Sequence, residues 1–462
     1  MTETPEPGEI DLDNITLTGS LKAVTEHLRT VAGPAARDLT RREADALLRA
    51  YLEPGCFPEA VRRLAARHLL VLVGEHGTGR RLGGLALLSR MSLAESTISV
   101  LSPAADAHDL LSAVEYEPGR AYLLHDWIAV STDRTELVNL ARKLAELGSY
   151  LVITRSGGPS HAVEVEHPWS APPPGELFDL CLAAFDRRAG LSQEELARAR
   201  DLAPTLATPA EVVRLAGRLA TGCGPGELAG GEAGEEAGGE DVAAWFDTKP
   251  PMREVLAVAA LAFTHRLAGP VFDHQLSRLE QLCHEQGRRP LTAPLIGDRD
   301  GLVAFREPHQ HARVLAELSA RYGFWLWQPL REWVRSLPGQ GAAVQMRAAH
   351  GVALLARHSL KDVRQEFLEV WARGSAAERV AAANVLSYMC VAETLAPEAL
   401  RIALAWAEDP RHVRATTAAA ALGGGLAVRY PDDCDRWLRR LERAGGPAAS
   451  VASQSLRTRH RR

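Results

Sequence analysis

The chain has 462 residues, room for about three domains. Hydrophobic residues at 46%, charged residues at 24% and a net charge of −5 describe a globular protein and argue against a generally basic nucleic-acid binder. Six scattered cysteines without a C-x-x-C pair argue against a zinc or disulfide framework; Cys283-His284 is half a metal site with no second half.

Residues 1–18 (MTETPEPGEIDLDN and onward) are acidic and polar and read as a disordered leader with no apolar signal. No run of 18 apolar residues exists, Val255–Phe263 being too short, so no membrane span and a cytoplasmic protein are expected. Residues 19–67 read as helical pieces interrupted at Glu53-Pro54-Gly55. Apolar strands then alternate with helical segments at Leu69–Val73, Thr97–Leu101, Ala121–His125 and Tyr150–Thr154, with a fifth at Ala162–Val165. Strands alternating with helices predict an α/β domain over 19–170, a parallel sheet with helices on both faces.

The first strand carries the main chemical signal. His68–Leu88 reads HLLVLVGEHGTGRRLGGLALL: an apolar run, a glycine-rich turn, then a helix. Gly74 and Gly79 fall where the phosphate-loop pattern G-x-x-x-x-G-K-S/T puts its glycines. Such a loop points backbone N–H groups at phosphates from a helix N-terminus, and Gly77 and Thr78 suit that backbone. Arg80 stands in place of the lysine, longer and forked, yet able to bring positive charge to phosphate oxygens. Arg81 stands in place of the hydroxyl that ligates Mg²⁺; a guanidinium cannot ligate it and repels it.

Two later strands supply partners. AYLLHD ends in Asp126, where a metal-holding carboxylate sits in such sites, followed by Trp127 where an acid often polarises water. YLVIT ends in Thr154, then Arg155, placed to sense a terminal phosphate. The nucleotide-binding set is therefore Gly74, Gly77, Thr78, Gly79, Arg80 and Arg81, with Asp126 as the metal position and Thr154 and Arg155 as sensors. No catalytic residue is assigned.

After Pro172-Pro173-Pro174, residues 171–222 read as all helical, with a capping box at Ser192/Glu195 and a cap at Thr208-Pro209; Arg214 or Arg218 on the last helix could reach the phosphates. Residues 223–241 are Gly and Glu and read as a flexible linker. Residues 242–338 give helices, a hairpin within LIGDRDGLVAFREP and another helix, the order of a winged-helix-like domain. Its arginines (Arg299, Arg306, Arg313, Arg321) alternate with Asp298, Asp300, Glu307 and Glu317, a mixed face that argues against DNA. Trp325, Trp327 and Trp333 are expected in the core, and His309-Gln310-His311 on the surface. Over 339–446, helix starts at Arg347, Arg379 and Arg414 recur at spacings of 32 and 35 residues, a short HEAT-like α-solenoid. Residues 447–462 read as a basic tail.

The order and spacing of these elements resemble bacterial STAND/AAA+ P-loop NTPases over most of residues 50–440. The resemblance implies an ATP/ADP-gated regulatory switch whose core forms homo-oligomers and whose repeats engage a protein partner. The departures at Arg80, Arg81 and Trp127 make it a degenerate ATPase at most and leave Mg²⁺ in question. Two alternatives stand beside it: a non-catalytic scaffold, and a winged-helix DNA-binding regulator.

Overall fold

The computed structural model describes residues 24–25, 28–29, 37–75, 77–91, 97–101, 103, 107–112, 114–128, 134–158, 165–184, 193–206, 208–221, 239–285, 293–307 and 309–460. The leader and most of the Gly/Glu linker lie outside these residues. The chain divides into two compact units, residues 35–233 and the remainder.

The unit at 35–233 is built on a six-stranded sheet. Its strands are β1 (Arg37–Leu39), β2 (Leu69–Gly74), β3 (Ile98–Leu101), β4 (Ala121–Leu124), β5 (Tyr150–Ser156) and β6 (Glu166–Pro168). They lie in the order β1-β3-β4-β5-β2-β6, and all pairings are parallel except that of the edge strand β1 with β3. The four expected strands are present within two residues of their predicted ends. The fifth lies at Glu166–Pro168 rather than Ala162–Val165.

The continuous apolar run of β2 follows from burial on both faces. Leu70 and Leu72 pack on one side, with Leu64 of α2 (Phe57–Arg67) and Leu85 and Leu88 of α3 (Arg80–Met91), numbering α1 as Arg41–Leu47. Leu69, Val71 and Val73 pack on the other, with Leu110 of α4 (Ala107–Ser112) and Leu137, Leu140 and Leu144 of α5 (Arg134–Leu147). Gly84 lets α3 approach the sheet closely, since a Cβ there would lie 2.9 Å from Leu123 and 3.1 Å from Val152.

The same unit ends in three helices, α6 (Pro174–Ala184), α7 (Gln193–Leu202) and α8 (Pro209–Thr221), around Phe178, Cys181, Val212 and Leu215. The predicted cap of α8 is present in reciprocal form: Thr208 N–H donates to Glu211 Oε2 at 3.0 Å, and Glu211 N–H to Thr208 Oγ1 at 3.3 Å. The predicted Ser192/Glu195 box lies outside the described residues.

The second unit begins with α9 (Gly239–Asp247), so helix starts within the segment read as linker. The apolar patch Val255–Phe263 lies in α10 (Met252–Thr264) and is wholly buried. After β7 (Leu267–Ala268) and α11 (Gly269–Leu282) comes the expected hairpin, β8 (Ile296–Arg299) and β9 (Leu302–Phe305), in a sheet of order β7-β9-β8. Its turn has positive φ at both Asp300 (56°) and Gly301 (80°), and Asp298 Oδ1 accepts from Gly301 N–H at 2.9 Å. That is the turn an Asp-Gly pair favours.

Helices α12 (Gln310–Arg321) and α13 (Phe324–Ser336) follow. Gln310 and His311 are buried, not exposed: His311 bonds the Ala262 carbonyl of α10, and Gln310 Oε1 accepts from Glu307 N–H. Trp333 is buried as expected, but Trp325 is 56% exposed and Phe324 is 74% exposed, because they open the first turn of α13 on its outer side. The three Arg-x-Ala starts fall on α14 (Ala342–Val363), α15 (Ala376–Met389) and α17 (Val413–Gly423), which pack on one another in succession, with α16 (Ala396–Ala407) between the last two in sequence. Two further helices, α18 (Pro431–Ala444) and α19 (Pro447–His460), complete the unit. The segment read as a basic tail is thus mostly helix: Ala448, Ala452 and Leu456 are buried, and α19 packs on α17 and α18. Leu28 also belongs to this unit, not to the sheet unit in which the sequence reading placed residues 19–34; a Cβ on Gly425 would meet it at 2.5 Å. No helix of the described residues is long and apolar enough to cross a membrane.

Candidate functional site

The order of the sheet brings the predicted residues together. Because β5 lies between β2 and β4, the C-terminal ends of these strands bring Gly74, His125-Asp126 and Thr154–Ser156 to one edge. Gly77 and Gly79 adopt φ of 80° and 82°, as the tight loop requires, and α3 starts at Arg80. Gly83 N–H donates to Gly79 carbonyl at 2.9 Å, so the preceding N–H groups of the first turn have no acceptor within the helix. Thr78 Oγ1 donates to Glu75 carbonyl at 2.9 Å. The loop also lies against the helical segment, since a Cβ on Gly77 would stand 2.9 Å from Thr208.

Arg80 is only 5% exposed and turns away from the loop toward the end of β5. Its Nη1 donates to the Arg155 carbonyl and its Nη2 to Ser156 Oγ at 2.9 Å, with Asp126 Oδ1 at 3.9 Å. Burial holds its pKa below the ordinary arginine value, opposed by Asp126 and reinforced by Arg155. Arg81 is exposed on the first turn.

Asp126 adopts a left-handed φ of 51°, and its N–H donates to Thr154 Oγ1 at 2.9 Å. Its Oδ2 lies 3.1 Å from His125 Nε2, and Trp127, buried, donates its N–H to the Thr154 carbonyl at 2.8 Å. Thr154 is therefore a clasp between β4 and β5. Arg155 is paired with buried Glu166 on β6 at 2.6 Å. Arg214 is half-buried on α8; the Arg218 side chain lies outside the described residues.

The Mg²⁺ that the resemblance implies does not fit these residues. Asp126 is flanked by a guanidinium and an imidazole, and position 81 offers a second guanidinium where a hydroxyl is needed. Among the described residues no cluster of three or more His, Cys, Asp or Glu side chains could hold a metal ion.

Residues with no pattern in the sequence complete the site. Trp169 stands over the first turn of α3: a Cβ on Gly83 would lie 2.1 Å from its ring, and one on Gly74 would lie 2.6 Å from its carbonyl. Beside it is a solvent-open cleft of about 380 Å³. Tyr51 and Pro54 line it from the segment before α2, Thr78 and Gly79 from the loop, and Pro209 and Val213 from α8. Its walls are almost entirely apolar. Two of the lining residues carry a polar atom shut off from solvent without a hydrogen-bond partner, Tyr51 Oη and Trp169 Nε1. Burial pushes the Tyr51 phenol well above its ordinary pKa, so it stands as a neutral hydroxyl.

The chain matches no family model and no curated protein.

Proposed function

We propose that residues 35–233 bind ATP or ADP and that the chain is a nucleotide-dependent regulatory switch of the STAND-like kind, without metal-dependent hydrolysis. The observation that carries this reading is the apolar cleft, walled by Tyr51 and Trp169, that adjoins Thr78 and Gly79 at the start of α3. A phosphate chain would lie on the first-turn N–H groups. The base would enter the cleft, where an aromatic heterocycle offers an apolar face to walls that include Tyr51 and Trp169. Because Pro209 and Val213 of α8 line the same cleft, a bound base bridges sheet and helical segment, and a nucleotide that favours one arrangement of the two shifts their equilibrium. A partner held by the C-terminal helices would be linked to that equilibrium with the same coupling in both directions.

Calorimetry with ATP and ADP, in Mg²⁺ and in EDTA, tests this. Micromolar binding that survives EDTA, without ADP production from ATP, is expected. Absence of binding to the folded chain under both conditions defeats the reading. One observation favours the scaffold alternative in that case: the Arg80 fork is already engaged by the Arg155 carbonyl and Ser156. Gly79→Asp separates the two, abolishing nucleotide binding in the first and leaving partner binding intact in the second.

A further inference from the structure

The last two helices carry a charge pattern unrelated to the nucleotide cleft and independent of that reading. Residues 431–462 hold eight arginines against four carboxylates, a net charge of +4, while the whole chain carries −5, so residues 1–430 carry −9. Basic charge segregated in this way gives a chain of negative net charge a surface for an anionic partner.

Helix α18 puts part of that charge in a row. Arg436, Arg439, Arg440 and Arg443 fall within about 100° of one another about its axis, at about 3.6 residues per turn. Cys434, Leu438 and Leu441 occupy the opposite side and are buried, so packing of the helix turns its arginine face outward. Arg436 is half-buried and neutralised by buried Asp433. Arg439, Arg440 and Arg443 are exposed, and among the described residues none of the three has a carboxylate partner. Arg440 lies over the Trp437 ring, 4.6 Å from its centroid, a contact that holds the guanidinium without supplying an acceptor. Exposed Asp432 stands one turn before the row and exposed Glu442 on its flank. Arg457 of α19, which packs on α18, is likewise exposed and without a carboxylate partner among the described residues.

The surroundings choose the partner. None of the exposed large apolar side chains among the described residues lies on α18 or α19, so a protein partner would find no apolar anchor beside the arginines. The apolar side of α18 is buried in the core and is not free to enter a membrane interface. Arg440 covers the Trp437 ring, so unpaired bases have no open platform there on which to stack. A duplex needs none of these. Its phosphates, one per about 3.4 Å of axis on each strand, are held by charge, and an arginine fork takes phosphate oxygens in pairs.

We infer that the arginine face of α18 docks on the phosphate backbone of a duplex nucleic acid, without reading its sequence, through Arg439, Arg440 and Arg443.

The test follows a fluorescent DNA duplex of about 20 base pairs by anisotropy as the full chain is added. Micromolar binding is expected at about 50 mM salt. It should weaken about 40-fold at about 200 mM, because three phosphate contacts give a slope of about −2.7 in log affinity against log salt. The triple variant Arg439→Gln, Arg440→Gln, Arg443→Gln should bind at least about tenfold more weakly at the lower salt, with a slope close to zero. It should melt as the native chain does, since all three side chains are exposed. The corresponding triple lysine variant keeps the charge and should keep the slope. Four results would each overturn the inference: the duplex does not bind at the lower salt; polyglutamate or phosphatidylglycerol vesicles bind as tightly as the duplex; the glutamine variant binds as the native chain does; or the lysine variant loses the slope along with the glutamine one.

Discussion

The Arg80 guanidinium stands 3.9 Å from Asp126 Oδ1, at the point where strands β2, β4 and β5 end together. The same fork is bound to the Arg155 carbonyl and Ser156 Oγ, so Arg80 ties the start of α3 to the end of β5. Arg80→Met keeps the length and removes the charge and donors. It should destabilise the sheet unit by about 2–4 kcal/mol, because a part-buried carbonyl and a hydroxyl lose their donor together and Asp126 is left with His125 alone. Urea denaturation of Arg80→Met, Asp126→Asn and the double variant measures the coupling. A loss below about 0.5 kcal/mol for Arg80→Met would show the guanidinium is not held as described.

Trp169 cannot retreat from α3. Its N–H donates to the Val73 carbonyl at 2.7 Å, and its ring meets Phe57 edge-on at 6.3 Å. A Cβ on Gly83 would intrude to 2.1 Å from that ring. Gly83→Ala should therefore destabilise by about 1–3 kcal/mol from overpacking, although alanine is the better helix former by about 1 kcal/mol. Stabilisation of Gly83→Ala in urea would show that the indole does not cover the helix. Nucleotide affinity should fall with it, since Trp169 also lines the cleft.

The contrast between these residues explains what the sequence revealed. Strand β2 and its loop were legible because full burial imposes an unbroken apolar run and the loop needs glycines at fixed positions. The hairpin at 296–305 was legible from Asp300-Gly301, which the turn requires. Trp169, Tyr51 and Glu166 were not, since each reaches the site from a distant segment by packing that leaves no periodic trace. Only the pair Gly83-Gly84 hinted that something bulky approaches α3. Edge strand β1 is only Arg37-Asp38-Leu39, too short to carry an alternation to read. His311 misled because it follows the hairpin read as a wing, whereas it lies in the first turn of a helix whose inner face meets α10.

Cys56 should be the most reactive thiol among the described cysteines. Burial pushes its pKa up, but hydrogen bonds from His167 and Ser170 outweigh this and hold it below the ordinary thiol value. Ser170 Oγ lies 3.6 Å from its sulfur, and the residue stands at the N-terminal cap of α2, where partial positive charge favours a thiolate. Burial raises Cys181, Cys283 and Cys390 instead, Cys390 to about 12. Iodoacetamide at neutral pH, read by peptide mass, should label Cys56 before these three. His167→Ala should slow its labelling, and an unchanged rate would remove the imidazole from the account.

His311 predicts loss of stability in mild acid. Its ring lies 4.9 Å from His265, 5.5 Å from Phe305 and 5.4 Å from His350, and Nε2–H donates to the Ala262 carbonyl at 2.7 Å. Burial lowers its pKa from 6.5 to about 4, against the raising effect of that hydrogen bond and with the help of Arg347 and Arg357. His265 is lowered as well, by burial and then by His311, His350 and Arg347. A folded-state pKa below the unfolded value means that both states are neutral above about pH 6.5 and the contribution is complete there. As pH falls from 6.5 toward 4, the unfolded chain takes up a proton that the folded chain refuses, and stability drops by up to about 3 kcal/mol from His311 alone. His311→Gln keeps a donor for Ala262 and cannot titrate. Unfolding free energy measured in urea at pH 7, 6, 5 and 4.5 should therefore fall more steeply for the native chain than for the variant. Parallel curves would mean that the imidazole is not held neutral in the fold.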